Sequence, residues 1–338
     1  MVTGLRFPDY PYPRGWYQIG YTSQLDNGEP LPVHYFGEDL VAFKGESGKL
    51  GVLTSYCQHM GMNLAVRGKV IGDDIRCPWH GWQWDGDGRN TLIPYSKEKC
   101  KPNVRIRSWP VRDYYGMLIV WHDWDPKLYD KPAWEPPVVP ELEGDDYYPL
   151  MAYGQKMWHV KTHPQMPVEN SVDFAHIHFV HENAEVPELL DFRTDGPWMR
   201  ADVGLTYGKG KKSTKVTPEG AVDSVVEIEG FGVGFGTIRF TGMYPTVQLS
   251  SITPVDEQYS DYYIQLASQR EPGDTGDEPG AKAKRMADMQ AKIIPQDFFT
   301  WENMRYLEAP NLAVEETKAF MPLRRWCQQF YPERIVGS

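Results

Sequence analysis

Two segments of the chain are the most informative: Cys57-Gln58-His59 and, after seventeen intervening residues, Cys77-Pro78-Trp79-His80. Each segment supplies one thiol and one imidazole. Gly61 follows the first segment and Gly81 the second, at places where a backbone would have to fold tightly around a bulky centre. We therefore expect two loops between strands, whose four side chains bind one metal centre.

Two kinds of centre are compatible with this donor set. A structural Cys2His2 zinc site is one interpretation, but zinc fingers usually take both cysteines from one loop and both histidines from the other. Here each loop supplies one of each, which favours a [2Fe–2S] cluster of the Rieske type. In such a cluster Cys57 and Cys77 ligate one iron, and His59 and His80 ligate the other. Imidazole ligands raise the reduction potential, so the cluster would be a one-electron carrier.

Composition excludes several classes of protein. The chain has 35 basic and 46 acidic residues among 338, a formal charge of −11, which argues against nucleic-acid binding. Four cysteines do not make a disulfide framework, and Cys100 and Cys327 are interpreted as ordinary small buried residues. The opening residues, Met1–Asp9, lack a secretory pattern. The longest apolar stretch, about the size of Met117–Trp121, is far below the ~18–20 residues of a membrane span. We expect a cytoplasmic protein.

Residues 1–125 predict a small all-β domain. Aromatic and β-branched runs bounded by turn residues predict strands, and a Gly37-Glu38-Asp39 turn predicts a hairpin. Residues 126–149 are rich in proline, which cannot donate to a ladder, and predict an extended connector. The predicted strands are Trp16–Tyr21, His34–Phe36, Leu40–Phe43, Leu50–Leu53 and Gly116–Trp121.

Residues 150–338 predict a second domain of the α+β class. Residues 168–186 and 280–308 read as helical, the latter interrupted at Pro295, and a short last helix is expected after Pro322. Strand patterns lie within residues 200–270.

The run Gly230–Gly236 alternates glycine with larger residues and is interpreted as a strand, not as a phosphate loop. No other glycine pattern opens a nicotinamide site, so electrons must enter from outside. If the bare face of this strand lines a pocket, Gly232 and Gly234 make room for a large flat ligand. A bulged strand packed closely on a helix is the alternative.

A second group of metal-ligating residues lies within Glu169–His181, which holds three of the nine histidines. Asp173 and His176 are three residues apart, on one face of the predicted helix. His176 and His181 are five apart, so the helix must end or bulge between them if both bind one metal. His178 points away from His176 and is interpreted as a packing residue.

Two imidazoles and one carboxylate form the facial triad of non-haem Fe(II), which leaves open positions for O2. A helix with scattered histidines that bind nothing is the alternative. The carboxylate is expected from elsewhere in the chain, and spacing leaves Asp288, Asp297 and Glu302 open.

With both motifs in this order, the chain resembles the terminal subunits of Rieske non-haem iron oxygenases over nearly its whole length. The resemblance is most specific to the oxygenase components of 3-ketosteroid 9α-hydroxylases. The segments that carry it, besides the two ligand motifs, are Pro13-Arg14-Gly15-Trp16, Cys57-Gln58-His59-Met60-Gly61, Gly86-Asp87-Gly88-Arg89, Gln296-Asp297 with Trp301, and Leu323-Arg324-Arg325-Trp326 through Phe330-Tyr331.

The resemblance implies roles for particular residues. The pattern N-x-x-D-x-x-H-x4-H falls on Asn170, Asp173, His176 and His181, and the family's Gln-Asp pair makes Asp297 the third iron ligand. It also implies a helix-grip (START-like) catalytic domain with an antiparallel sheet and C-terminal helices, assembled as a homotrimer. In that assembly Asp173 joins His80 of one subunit to His176 of the next, and Asn170 lies beyond the direct ligands.

The implied reaction is monooxygenation of a bulky, apolar, steroid-like substrate by O2 and two electrons, such as the 9α-hydroxylation of a 3-ketosteroid. The electrons would come from a separate flavin and iron–sulfur reductase that uses NAD(P)H. An aromatic ring-hydroxylating or O-demethylating oxygenase is the alternative within the family. A Rieske electron-transfer protein without oxygenase activity is the alternative outside it.

Overall fold

A computed structural model describes residues 12–98, 100, 102–183, 185–207, 220–242 and 244–332. Met1–Asp9 and part of the region 200–270 in which strands are expected lie outside the described residues. The chain divides into two compact units, one over Trp16–Ala133 and a larger one that holds the described residues of 134–332 together with those before Trp16. The boundary between the units lies inside the proline-rich stretch 126–149. No helix in the described part of the chain is long and apolar enough to cross a membrane.

Among its described residues, the regular elements of the smaller unit are strands and one short 3-10 helix, Thr22–Leu25. Its hydrogen-bonded sheets are β1-β10-β9, β2-β3-β4 and β5-β6-β7-β8, numbered in chain order. The strands are Gly15–Tyr21 (β1), Leu31–Tyr35 (β2), Glu38–Lys44 (β3), Leu50–Thr54 (β4), Lys69–Ile71 (β5), Asp74–Arg76 (β6), Gln83–Trp84 (β7), Asn90–Leu92 (β8), Val111–Tyr114 (β9) and Met117–His122 (β10).

The predicted strands of this unit are confirmed, with one shift in the hairpin. Tyr35 pairs with Glu38, so the turn is Phe36-Gly37 and not Gly37–Asp39. Both turn residues have positive φ, 57° and 70°, the conformation of a two-residue turn that matches the twist of the strands. Phenylalanine rarely adopts positive φ, which is why the sequence pattern misplaces this turn.

The larger unit is built on one seven-stranded antiparallel sheet, ordered β11-β17-β16-β15-β14-β13-β12. The predicted α+β class, with an antiparallel sheet followed by C-terminal helices, is confirmed. The strands are Lys156–Val160 (β11), Glu188–Asp195 (β12), Trp198–Tyr207 (β13), Val222–Phe231 (β14), Phe235–Phe240 (β15), Thr246–Pro254 (β16) and Ser260–Ser268 (β17).

The helices of the larger unit differ from the predicted ones at their ends. Residues 168–186 hold no continuous helix, since two short helices there are separated by turns. The interruption at Pro295 is confirmed: a 3-10 turn containing it separates two α-helices, and the second ends at Asn303. The α-helices are Gln165–Glu169 (α1), His176–Phe179 (α2), Ala281–Ile293 (α3), Phe298–Asn303 (α4) and Phe320–Gln328 (α5), and the 3-10 helices are Pro140–Leu142, Ile294–Asp297 and Glu316–Lys318.

Helix α5 begins at Phe320 and so includes Pro322, after which the last helix was predicted to begin. Proline is tolerated there because an N–H in the first turn of a helix has no intrahelical partner. Leu323, Trp326 and Cys327 of this helix are buried in a core with Met199 and Ala201 of β13. Cys327 is therefore the buried small residue that its isolation in the sequence indicates. Cys100 is only partly buried, so the same interpretation is wrong for that residue.

The interpretation of Gly230–Gly236 as one strand is wrong. Gly232 has φ 79°, a left-handed conformation, and the run is a hairpin that joins β14 to β15, with Gly230 paired to Gly236. A Cβ on Gly232 would lie 2.9 Å from Cζ2 of Trp134. The glycines therefore allow the chain to reverse direction and to pack closely. Their alternation with larger residues in the sequence is the same pattern that a strand would show.

A buried ion pair ties the C-terminal helix to α1. Nε of Arg324 donates to Oε1 of Glu169 at 2.9 Å and Nη2 donates to Oε2 at 2.8 Å, with both side chains at most 7% exposed. Gln165 donates to the same carboxylate at 2.9 Å, and the Tyr331 hydroxyl donates to Gln165. The forked, hydrogen-bonded geometry satisfies both charges, which is the condition for such a pair to be tolerated in a core.

Replacing Glu169 by Gln should destabilise this unit strongly, because it leaves the Arg324 guanidinium buried without a counter-charge. We expect a loss of about 3–5 kcal/mol in the free energy of unfolding, measured by thermal or denaturant unfolding. Asp191→Asn is the matched control, since its pair with Arg193 is about half exposed and should change stability by less than ~1 kcal/mol. Equal stability of the two variants would contradict this account.

Candidate metal centres and ligand cavity

The two Cys/His loops of the smaller unit have the same backbone design. The Cys57 N–H donates to the Met62 carbonyl at 2.9 Å and the Gly61 N–H donates back to Cys57 at 2.9 Å. The second loop repeats this pattern. The Cys77 N–H donates to the Trp82 carbonyl at 2.8 Å, and the Gly81 N–H donates to the Cys77 carbonyl at 3.1 Å. Gly61 and Gly81 have φ of 76° and 72°, so the tight turns expected at both glycines are present.

These loops bring the four predicted donors together in two layers. Cys57 and Cys77 are each 2% exposed and belong to the core with Leu53, Ile75 and Trp84. Burial raises the pKa of the Cys57 thiol, and the nearby Cys77 acts in the same direction. A buried thiol with a raised pKa is not an exposed reactive nucleophile, and it becomes a thiolate when a metal replaces its proton.

The two imidazoles lie closer to the surface. The ring centroids of His59 and His80 are 4.6 Å apart, and His59 stacks on Trp82 at 4.5 Å with 5° between the ring planes. Nδ1 of His59 is buried, yet it has no hydrogen-bond partner among the described residues. A buried nitrogen lone pair without a partner, beside a second imidazole and two buried thiols, fits a metal–sulfur centre with mixed ligands.

In the larger unit, one carboxylate joins the two predicted histidines. The ligand atoms of His176, His181 and Asp297 all lie within 4.8 Å of one another. Nε2 of His181 is 3.3 Å from Oδ1 of Asp297, and Nε2 of His176 is 4.0 Å from the same oxygen. Of the three carboxylates that spacing left open, Asp297 is the one in this group. The Asp288 carboxylate accepts a hydrogen bond from the Tyr153 hydroxyl instead.

The break in the chain between the two histidines allows this convergence. Helix α2 ends at Phe179, so His181 lies beyond the helix, as its spacing from His176 requires. Asp173 precedes α2, and the expectation that it shares a helix face with His176 is wrong. His178 directs Nδ1 to the Asn183 carbonyl and is not part of the group, in agreement with its interpretation as a packing residue.

Both histidines are held through Nδ1, which leaves Nε2 for a metal. Nδ1 of His176 contacts the Asp173 carbonyl oxygen, and Nδ1 of His181 lies 2.9 Å from Oε1 of Gln296. Acceptors at Nδ1 fix that proton and place the lone pair on Nε2. Burial lowers the pKa of His181, but hydrogen bonds with Asp297 and Gln296 outweigh it and raise the pKa overall. The set of two imidazoles and one carboxylate, with each side chain at most 16% exposed, fits a divalent iron.

The two other predicted residues of this segment lie beside the group. The Asp173 carboxylate is 38% exposed and accepts a hydrogen bond from the His176 N–H at 3.3 Å. Asn170 follows the end of α1 and lines the cavity described next.

A cavity of about 320 Å³ opens onto this group, since His176, His181 and Asp297 all line it. Its volume is at the lower end of the ~300–1,000 Å³ typical of ligand pockets. Most of its remaining lining is apolar and comes from one face of the sheet and from α3. These lining residues include Val203, Leu205, Val226, Ile228, Ile238, Phe240, Met289, Ile293 and Ile294.

Sequence reasoning missed part of this lining and placed other residues there wrongly. Gly232 and Gly234 are not among the lining residues, so the bare-strand pocket is not what the structure has. Gln248 and Tyr262, which were not predicted, do line it, and Gln296 orients His181. Alternation in β16 and β17 could have grouped Gln248 and Tyr262 with their apolar neighbours, although it could not tell which face meets the cavity.

Comparison with known proteins gives a family match for each of the two parts of the chain. Residues 15–110 match the Rieske [2Fe-2S] domain family, and residues 120–331 match the family described as 3-ketosteroid 9alpha-hydroxylase C-terminal domain. The chain is 30% identical to a probable 3-ketosteroid-9-alpha-monooxygenase, oxygenase component, of Rhodococcus rhodochrous, covering 96% of this chain and 81% of that protein. It is 29% identical to a cholesterol 7-desaturase of Xenopus laevis, covering 95% of this chain and 72% of that one.

The solved structures add support for the fold alone. Dicamba monooxygenase bound to dicamba has a TM-score of 0.73 at 18% identity, covering 94% of this chain and 96% of that one. The second family match spans more than half of the chain, and the first includes the four Cys/His residues of the two loops. The chain therefore belongs to the Rieske oxygenases of the 3-ketosteroid 9α-hydroxylase family, as a terminal oxygenase component with a Rieske [2Fe–2S] cluster, supplied with electrons by a separate reductase.

Proposed function

We propose that this oxygenase hydroxylates a bulky, apolar, steroid-like substrate at a mononuclear iron held by His176, His181 and Asp297. The observation that carries the proposal is that these three residues line the apolar cavity, so a ligand inside it meets the metal directly. The names of relatives, which include ketosteroid monooxygenases and cholesterol desaturases, support a steroid-like ring system. The 9α-hydroxylation of a 3-ketosteroid is the specific reaction that those names suggest.

The balanced reaction converts a C–H bond and O2, with two electrons and two protons, into an alcohol and water. When bound, the [2Fe–2S] cluster held by Cys57, His59, Cys77 and His80 would supply single electrons, and the mononuclear iron would supply open positions for O2. A flavin and iron–sulfur reductase that oxidises NAD(P)H is the proposed electron source. This division of labour leaves positioning and the exclusion of water to the polypeptide.

The residues around the proposed iron perform that positioning. Asp173 and Gln296 hold the Nδ1 atoms of the two histidines, so both rings keep the orientation in which Nε2 faces Asp297. The aliphatic sheet face and α3 surround the reacting region with groups that do not hydrogen-bond to water. A substrate held against them would present its C–H bonds to the metal in a dry environment.

Asp173 has a further proposed role in a homotrimer. Its carbonyl oxygen holds His176, while its carboxylate is partly exposed and can accept another hydrogen bond. In the proposed trimer this carboxylate accepts it from the partner subunit's His80 and so connects the cluster of one subunit to the iron of another. Electron transfer between subunits would then pass through one carboxylate.

Replacing Asp297 by Ala should remove the mononuclear iron alone. We expect the iron content to fall from about three to about two per chain, with the visible absorption of the cluster retained and product formation lost. Asp288→Ala is the control, because Asp288 lies on α3 but hydrogen-bonds to Tyr153. Full iron content in Asp297→Ala, or equal losses in both variants, would refute the ligand assignment.

Replacing Asp173 by Asn should slow electron delivery while both iron sites stay loaded. We expect turnover, and the rate at which a pre-reduced cluster is reoxidised in the presence of substrate and O2, to fall about 10- to 100-fold. The same measurement on Asp191→Asn, a surface change on β12, should give the wild-type rate. An unchanged reoxidation rate in Asp173→Asn would remove the bridging role.

A further inference from the structure

Gln248 is a polar side chain in the middle of the apolar sheet face. The register places Ile228 beside Ile238, Ile238 beside Gln248, and Gln248 beside Leu266 across four neighbouring strands. Cross-strand neighbours share a face, so this amide is flanked by aliphatic side chains on both sides. It lines the cavity and is 1% exposed. An amide in such surroundings is costly unless its polar atoms are hydrogen-bonded.

One end of this amide has a partner and the other end has none. Nε2 of Gln248 donates to Oγ of Ser250 at 3.0 Å. Oε1 is buried and has no hydrogen-bond partner among the described residues. Buried acceptors in native proteins are nearly always satisfied, and the cavity is the space from which a partner can come.

Ser250 holds the amide in this orientation. Its hydroxyl oxygen accepts the Gln248 amide N–H at 3.0 Å, so the nitrogen side of the amide faces Ser250 on the same strand. The carbonyl oxygen of Gln248 is left without a partner among the described residues, in a side chain that lines the cavity.

Gln248 lines the same cavity as the metal group but is not one of its members. Tyr262, which also lines the cavity, pairs with Ile252, and its ring is 5.8 Å from that of Trp301. Ile252 is four residues after Gln248 on β16, so at ~3.3 Å per residue their backbones are about 13 Å apart.

We propose that Gln248 determines substrate specificity by accepting, at Oε1, a hydrogen bond from a hydroxyl group of the substrate. The inference rests on the proposed function, and among steroid-like substrates it favours a hydroxylated steroid or sterol over the 3-ketosteroid that the names of some relatives suggest. A ketone at that position offers only an acceptor and would face the Gln248 carbonyl oxygen without a proton between them. The two kinds of steroid named for relatives differ in this group, because cholesterol carries a hydroxyl where a 3-ketosteroid carries a carbonyl.

The first test compares ligands that differ in one group. Androstan-3-ol, androstan-3-one and androstane share one ring skeleton and carry a hydroxyl, a ketone and neither. Equilibrium dialysis against the iron-loaded, oxidised enzyme without reductase measures their dissociation constants in the absence of turnover. We expect the alcohol to bind roughly tenfold more tightly than the ketone, the effect of one satisfied buried acceptor. Tighter binding of the ketone would mean that the amide presents its N–H groups, and would overturn the proposal.

The second test removes the acceptor. Gln248→Met keeps the length of the side chain and should abolish the preference for the alcohol, with the affinity for androstane unchanged or increased. Gln265→Met is the matched control, because Gln265 is equally buried on the adjacent strand but alternates to the opposite face of the sheet. It should keep the tenfold preference. A preference that survives in Gln248→Met would overturn the assignment.

The outcomes separate this inference from the function on which it rests. If the wild-type enzyme binds the alcohol and the ketone equally well, the role of Gln248 is wrong and the steroid-like substrate stands. If it binds none of the three, the steroid-like substrate is wrong and the inference falls with it. The wild-type comparison distinguishes these outcomes even if Gln248→Met does not fold.

Discussion

The larger unit depends on a single convergence, that of His176, His181 and Asp297. Two of these residues come from a segment that cannot be one helix, and the third comes from a turn more than a hundred residues later. That turn, Ile294–Asp297, contributes at two positions in succession: Gln296 meets Nδ1 of His181 and Asp297 meets Nε2. A single 3-10 turn therefore contacts both ring nitrogens of His181, and these contacts set the geometry of the metal group.

The rest of the unit supports this arrangement from two sides. The antiparallel sheet presents alternate side chains of β13 to β17, most of them apolar, to the cavity. On the other side, the buried pair of Glu169, at the end of α1, and Arg324 holds α5 against the segment that leads into the ligand motif. The strong polar interaction between Glu169 and Arg324 is therefore satisfied within the protein, outside the cavity. The cavity itself is mostly apolar, apart from a few groups that can hydrogen-bond to a ligand.

The smaller unit obtains its metal site by repeating one local design. Both loops close through the same pair of hydrogen bonds and a glycine with positive φ, so each places its thiol inside and its imidazole closer to the surface. A cluster bound in this way would be shielded on its sulfur side and reachable through its histidines. That asymmetry suits a centre that exchanges electrons with another protein or site.

Features that depend on short spacing could be predicted from the sequence. The Cys/His pattern, the glycine turns of both loops, the helix break between His176 and His181, and most strands all follow from local periodicity and residue chemistry. Local spacing could not choose among Asp288, Asp297 and Glu302, and only the resemblance to a family favoured Asp297. Alternation also misled at Gly230–Gly236, because a hairpin of glycines has the same period as a strand. Three features follow only from the tertiary structure: the choice of carboxylate, the hairpin, and the face on which Gln248 lies. The carboxylate and the face of Gln248 depend on contacts between segments that are distant in the chain. The hairpin depends on a backbone conformation that the period of the side chains does not encode.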